Sequence, residues 1–588
     1  MNLMTFVLAA IAALVSSPDG RLSVGLDTEN LSYTVTYDGK VMLEPSPLGL
    51  EADFGNLCEG LVLKDCRNGS IDTRYNLDRC KVSEVHYVAN TLEATLENPQ
   101  GQQLGIEFRV SNNDVAFRYR IPRQGDTGCI RVMREATGFR FPEGTTSFLT
   151  PQSHAMIGWK RSKPSYEEEY RVDAPLGEKS FYGHGYTFPC LFRVGEDGWV
   201  LLSETGVGSN YCGSHLSDIG EDGTFCIAFP MPEENNGNGT VEPAFQLPGA
   251  TPWRTITVGN SLKPVVETTA PWDNVEPLYE STHQYRFGRS SWSWIIWQDA
   301  SMNWDDQVAY IDLAAALGLE YILIDAGWDQ QIGYSRMEDL VAYAHSKGVD
   351  VFLWYSSSGW WNDIQQSPVG IMDNSILRKK EMAWMEKIGV KGIKVDFWGG
   401  DKQETMRLYE QLFSDADDHG LMVICHGCTL PRGWERMYPN YVGSEAVLAS
   451  ENLVFNQRAC DMEAFSACLH PFIRNTVGCM EFGGCVLNSR LGRGDNHGTV
   501  RRTTVDFELA TEIIFQNPIQ TLAVTPENLN NVELSEALDF VREFPTTWDE
   551  TVYIDGYPGK SVTLRRRHGS DWWEAHIDAS GKGYVKKL

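Results

Sequence analysis

The 588-residue sequence is short of positive charge: 50 lysines and arginines stand against 79 aspartates and glutamates, a formal net charge of −29. A chain this acidic repels phosphate backbones and anionic membrane surfaces, so nucleic acid is excluded as an expected partner. A neutral substrate fits, and bound cations are tolerated. Long hydrophobic runs are also missing. The apolar run at residues 6–15 is too short to cross a bilayer, and no later stretch reaches that length, so no membrane insertion is expected. The run has the length of a signal h-region and is followed by Ser16 and Ser17, although no lysine or arginine precedes it. Residues 1–17 are therefore expected to be a leader, and the mature protein to be secreted or periplasmic. A buried first strand is the rival reading, disfavoured because alanine-rich runs make poor strands.

Two other signatures are lacking. No G-x-G-x-x-G follows the first strand of the α/β region, which weakens a dinucleotide-binding reading. The thirteen cysteines, an odd number, form no small-domain disulfide framework: seven lie between Cys58 and Cys226 and six between Cys425 and Cys485. At least one stays free or pairs between chains. Cys425 and Cys428 make a C-x-x-C at the end of an apolar strand rather than at a helix start, and no second pair or H-x-x-x-H accompanies it. Redox and zinc readings are thereby disfavoured.

What is present falls into three blocks. Residues 18–283 alternate apolar and polar positions over short runs such as LSYTVTYDGKVML and LGIEFRVSNNDVAFRYRI, broken by Asp-Gly, Asn-Asn and Pro-Gly. That is the pattern of antiparallel sheets with one buried face, a large sandwich. Over residues 284–533, apolar runs at 291–297, 321–328, 349–357, 392–400, 421–428, 441–447, a weaker one at 470–478, and 519–526 are separated by amphipathic stretches. About eight strand–helix units in this length predict a closed (β/α)8 TIM barrel. Residues 534–588 return to alternation, a short C-terminal β-domain that must lean on the barrel.

The active site of such a barrel lies at the C-terminal ends of its strands. Those ends offer Asp325, Asp396, His426 and Glu445, with Glu451 in the adjoining loop and Trp292, Trp294, Trp297, Trp328, Trp354 and Trp398 nearby. Converging acids among aromatic rings have the composition of a sugar site, since glycosidic cleavage needs two carboxyl groups. Each residue alone has a plainer reading: a helix cap, a structural histidine, barrel packing. Their common barrel face is the informative feature.

At these residues the chain resembles glycoside hydrolase family 97. The resemblance is carried by SPDGRLSVGL, SPLGLEADFG, YILIDAGW, GIKVDFWGG and HGCTLPRGWERMYPNYVGSEAVLASE. It implies a β-super-sandwich, a (β/α)8 barrel and a C-terminal β-domain, here shorter than usual. Inverting members carry a base glutamate directly after the strand-5 histidine; Gly427 stands there. Retaining members place an aspartate nucleophile at the end of strand 4, which maps to Asp396, and the acid/base maps to Glu451. Retention would set those carboxyl groups about 5–5.5 Å apart. The resemblance further implies a calcium ion held by Glu445, Glu451 and Glu204. Lys394 shares a side of its strand with Asp396 and is a candidate to bond a sugar hydroxyl, as are Asp325 and His426, while Trp328 and Trp354 are candidate faces for the sugar ring. An exo-acting α-galactosidase follows, with α-glucosidase, β-L-arabinopyranosidase or a non-catalytic carbohydrate-binding protein as alternatives. The expected partner is an oligosaccharide or glycoside, and the expected assembly a monomer or homodimer.

Overall fold

The computed structural model describes residues 13–494 and 497–588. Most of the expected leader therefore lies outside the described residues. Its last part, Ala13–Ser16, is a strand paired antiparallel with Leu22–Asp27, and Val15 is buried. The N-terminal block builds a seven-stranded, a ten-stranded and a four-stranded sheet among the described residues. Alternation is what stacks the two large sheets. Leu22, Val24, Leu26, Tyr33 and Val35 point inward from one, and Phe108, Val115 and Phe117 from the other. The Tyr33 ring meets Phe117 at 5.2 Å. The longest hairpin, Val62–Asn76 with Glu84–Glu97, reaches out to the barrel and the C-terminal sheet.

Seven parallel strands form the barrel among the described residues: β1 (Gly288–Trp292), β2 (Tyr321–Ile324), β3 (Asp350–Ser356), β4 (Gly392–Asp396), β5 (Met422–Cys425), β6 (Tyr441–Ser444) and β7 (Ile519–Leu522). Their near-continuous burial is the reason they read as unbroken apolar runs. Between β6 and β7 the wall is completed by residues 480–484. Glu481 N–H donates to Ser444 O at 3.0 Å, Met480 N–H to Gln516 O at 3.0 Å, and Ala523 N–H to Gly484 O at 3.0 Å.

Two expectations shift. The run at 470–478 is not the weak strand; it forms two short 3-10 turns, His470–Phe472 and Arg474–Thr476. Pro471 favours the start of a turn, and the true wall segment carries a glutamate and two glycines, so it shows no apolar run. The first strand lies at Gly288–Trp292 rather than 291–297, where Trp294–Trp297 is a helical turn. The C-terminal block is a four-stranded antiparallel meander from Glu550 to Lys587. It leans on the barrel: Arg566 Nη2 donates to Ile514 O at 2.9 Å, and Trp573 packs on Phe540 at 5.7 Å. Among the described residues no helix is long and apolar enough to cross a membrane.

Candidate active site

Asp396 ends β4 and Lys394 precedes it by two residues, so the strand period puts both on one side. Asp325 follows β2, His426 follows β5 and Glu445 follows β6, while Glu451 sits in the 3-10 turn Ser450–Val454. These ends meet. Lys394 Nζ lies 3.1 Å from Asp325 Oδ2 and 3.9 Å from Asp396 Oδ2, over the Trp292 ring at 4.4 Å. Trp292 Nε1 donates to Asp325 Oδ2 at 2.8 Å. Trp354 Nε1 donates to Asp396 Oδ2 at 3.1 Å, and the Phe397 N–H to Oδ1 at 2.8 Å. His426 Nδ1 faces Glu445 at 3.3 Å and Glu451 at 3.8 Å, and its Nε2 pairs with Glu481 Oε2 at 2.6 Å.

Burial sets the charges. It would lower the Lys394 pKa, but Asp325 and Asp396 outweigh it and hold the ammonium well above its usual range. Burial pushes Glu451 up to about 7, against the pull of Lys394 and His426 and with the push of Glu167 and Asp396. Glu445 is driven up by burial, then by Glu451, Glu167 and Asp396. Its Oε1 is buried without a hydrogen-bond partner, as is His426 Nδ1. Glu481 is pushed up by burial, but its bond to His426 brings it below the ordinary carboxylate range.

Gly427 sits directly against Asp396. Its φ is 47°, and a Cβ there would lie 2.7 Å from Asp396 Oδ1 and 2.9 Å from the Phe397 nitrogen. A glutamate at this position cannot coexist with Asp396 as placed.

Three expected residues are corrected. Glu204 is not at the cluster. Its Oε1 accepts from Ser214 N–H at 2.8 Å and Arg432 Nε at 2.6 Å, and its Oε2 accepts from Ser214 Oγ at 2.5 Å and from Arg254. With both oxygens engaged by guanidinium groups it has no reason to hold a cation. Trp328 is buried against Trp384 at 6.0 Å and donates to Trp354 O at 3.0 Å, so it packs behind the strands rather than under a sugar. Trp354 is buried and acts on Asp396 through its indole N–H, not as a stacking face.

Other residues went unforeseen. Glu167, from the acidic triplet at 167–169 of the N-terminal domain, acts electrostatically on both Glu445 and Glu451. Its neighbour Tyr166 donates to Asp401 Oδ2 at 2.5 Å. Trp159, 53% exposed, lies 5.8 Å from the Phe397 ring, and Trp360 is 48% exposed after β3. Only the Glu167 triplet, three acids in a sandwich domain, left a trace in the sequence.

Residues 15–277 match the glycosyl-hydrolase 97 N-terminal family and residues 285–447 match glycoside hydrolase 97. A probable retaining α-galactosidase of Streptomyces bingchenggensis is 27% identical over 577 residues, 95% of this chain and 81% of its own length. A retaining α-galactosidase of Bacteroides thetaiotaomicron is 26% identical, over 98% of this chain and 90% of its own. A crystal structure of a β-arabinopyranosidase superposes with a TM-score of 0.96 at 61% identity, covering 98% of this chain and 96% of that one. A family 97 enzyme of Pseudoalteromonas sp. strain K8 in complex with panose shares the fold, at TM-score 0.81 and 21% identity over 96% and 89%. With most of its length matched and its acids gathered at one barrel mouth, the chain belongs to glycoside hydrolase family 97.

Proposed function

We propose that this chain is a retaining, exo-acting glycosidase for a terminal sugar with the ring configuration of α-D-galactopyranose, and that the sugar it prefers is β-L-arabinopyranose. That sugar has the same ring stereochemistry and lacks the hydroxymethyl group on C5. The observation that carries retention is the Gly427–Asp396 contact: the position after His426 carries no carboxyl group, and even a Cβ there would press on Asp396 Oδ1 at 2.7 Å. Preference for arabinopyranoside rests on the 61% identical β-arabinopyranosidase. The relatives named α-galactosidase, at 26–27% identity, support the α-galactoside reading as the second choice.

In this reading Asp396 attacks the anomeric carbon while Glu451, protonated by virtue of its raised pKa, gives its proton to the leaving oxygen. A covalent glycosyl ester on Asp396 results. Glu451, now a carboxylate, takes a proton from water, and the water oxygen displaces Asp396. Lys394, Trp354 and the Phe397 N–H hold the nucleophile's oxygens. Asp325, oriented by Trp292 and Lys394, would accept a hydrogen bond from a sugar hydroxyl.

A calcium ion beside the acid belongs to the same proposal. Ligand atoms of His426, Glu445 and Glu451 lie within 4.8 Å of one another. The orphaned Glu445 oxygen and the piled-up negative charge suit a hard cation. Glu445 and Glu451 would hold it, with Glu167 in the place expected of Glu204; a nitrogen is a poorer calcium ligand, and His426 is tied to Glu481. The ion would supply fixed positive charge near the acid.

Secretion and the monomer-or-dimer assembly also stand as proposals on the N-terminal run and the family likeness. Kinetics on nitrophenyl glycosides test the catalytic reading. The expected outcome is a higher kcat/KM on the β-L-arabinopyranoside than on the α-D-galactoside. Asp396→Ala should lose at least ~10³-fold in kcat, with azide restoring part of it as a glycosyl azide of inverted configuration. Ordinary turnover by that variant would refute the nucleophile.

A further inference from the structure

We propose that Cys80 and Cys479 form a disulfide that ties the N-terminal domain to the barrel. The two thiols are wholly buried, 399 residues apart in the chain, with their sulfurs 3.6 Å from each other. Bonding needs an approach of about 1.5 Å to the usual ~2.05 Å, shared between two side chains.

Both partners are held where they are. Cys80 lies in the turn at residues 77–83, at the tip of the long hairpin. Its neighbour Arg79 donates from Nη1 to Tyr441 O at 3.2 Å and to Pro439 O of the barrel. Its other neighbour, Lys81, donates to Val266 O and to Thr476 O at 2.8 Å each. Thr551 of the C-terminal sheet donates to Lys81 O at 2.7 Å. On the barrel side the Cys479 N–H is fixed by Glu435 Oε1 at 2.6 Å. The sulfurs therefore meet at a junction of all three domains. Until it bonds, the Cys479 thiol also donates to Arg79 O at 3.3 Å, a contact the disulfide would replace.

A metal is the rival occupant, because Cys80, Glu435 and Cys479 offer ligand atoms within 4.8 Å. Glu435 is already committed, however, its Oε1 to Cys479 N–H and its Oε2 to Trp272 Nε1 at 2.9 Å. Among the described residues no fourth ligand completes a tetrahedron.

The oxidant belongs to the disulfide class, such as oxidised glutathione. Its sulfur–sulfur bond accepts two electrons, each thiol gives up one hydrogen, and one Cys80–Cys479 bond and two small thiols result. Burial raises the pKa of both cysteines and so suppresses the thiolate that attacks. The bond accordingly forms as the domains dock, before the sulfurs are sealed, and afterwards resists reductants. It closes a very long loop, the case in which a cross-link restricts the unfolded chain most. It also anchors the segment that leads, two residues on, to Glu481, the partner of His426.

Peptide mapping of the full-length protein, made in parallel in an oxidising and a reducing compartment and blocked with iodoacetamide on denaturation, tests this. The oxidised preparation should yield one linked peptide pair carrying Cys80 and Cys479, and its thermal midpoint should lie several degrees above that of the reduced one. Cys80→Ala and Cys80→Val should each remove the difference in midpoint and leave turnover unchanged. Alkylation of both cysteines in the oxidised protein, a bond from either to another cysteine, or one zinc per chain by native mass spectrometry would overturn the proposal.

Discussion

A carboxyl group that must give a proton in one step and recover it in the next works best with a pKa near the ambient pH. Glu451 is set there by its surroundings. Burial favours the neutral acid, while Lys394 and His426 stop the rise at about 7. The first step needs protonated Glu451, so kcat/KM should fall as pH rises through about 7 in metal-free protein. Added calcium, which favours the carboxylate, should move that limb downward. Glu451→Gln should flatten it and lower kcat/KM for substrates with poor leaving groups by about 10²–10⁴-fold, with little effect on kcat/KM for a dinitrophenyl glycoside, whose kcat should still fall because the second step has lost its base. A limb unmoved by the substitution would assign the titration to another group. Trp354 shows how a single side chain changes meaning with its direction: the ring is in the core, and its N–H is what reaches Asp396.

The loops that leave β4 and β5 decide which chemistry is possible. Phe397 has φ 63° and Gly427 φ 47°, both in the left-handed region, which for phenylalanine is uncommon and strained. The Phe397 turn aims its own N–H at Asp396, and the glycine lets the β5 loop pass against that carboxylate. Gly427→Ala should therefore displace Asp396 and lower kcat by about 10²-fold while far-ultraviolet circular dichroism stays unchanged. Unaltered kcat would mean that the contact does not control the nucleophile. Much of this level was legible beforehand. β2 to β6 announce themselves as buried apolar runs, and Asp325, Lys394, Asp396, His426 and Glu445 fall at their ends. The wall segment at 480–484 was not legible, because Glu481 faces inward to His426 and two glycines replace apolar residues. Nor could the strand rule find Glu167 or Trp159, which arrive from another domain.

Across the whole molecule, the sandwich does more than support the barrel. A buried chain of ion pairs runs from Glu135 to Arg254, Glu204 and Arg432, on to Asp401, and ends at Tyr166 beside Glu167. Glu204 joins Arg254 of the sandwich to Arg432 of the barrel and so locks the interface. Burial raises the Glu204 pKa, but Arg432 and Arg254 outweigh that and keep it charged. Arg432→Met leaves the buried Asp401 without its guanidinium and Glu204 with Arg254 alone, so it should destabilise the protein by about 3–5 kcal/mol. Denaturant titration would show this as a lowered midpoint, and an unchanged midpoint would deny the network its structural role. The central claim is that Asp396 and Glu451 act in turn on one anomeric carbon. Proton NMR of the first-formed sugar from an aryl β-L-arabinopyranoside tests it most directly: the account predicts β-L-arabinopyranose, followed by slow mutarotation, and the α-anomer appearing first would contradict it.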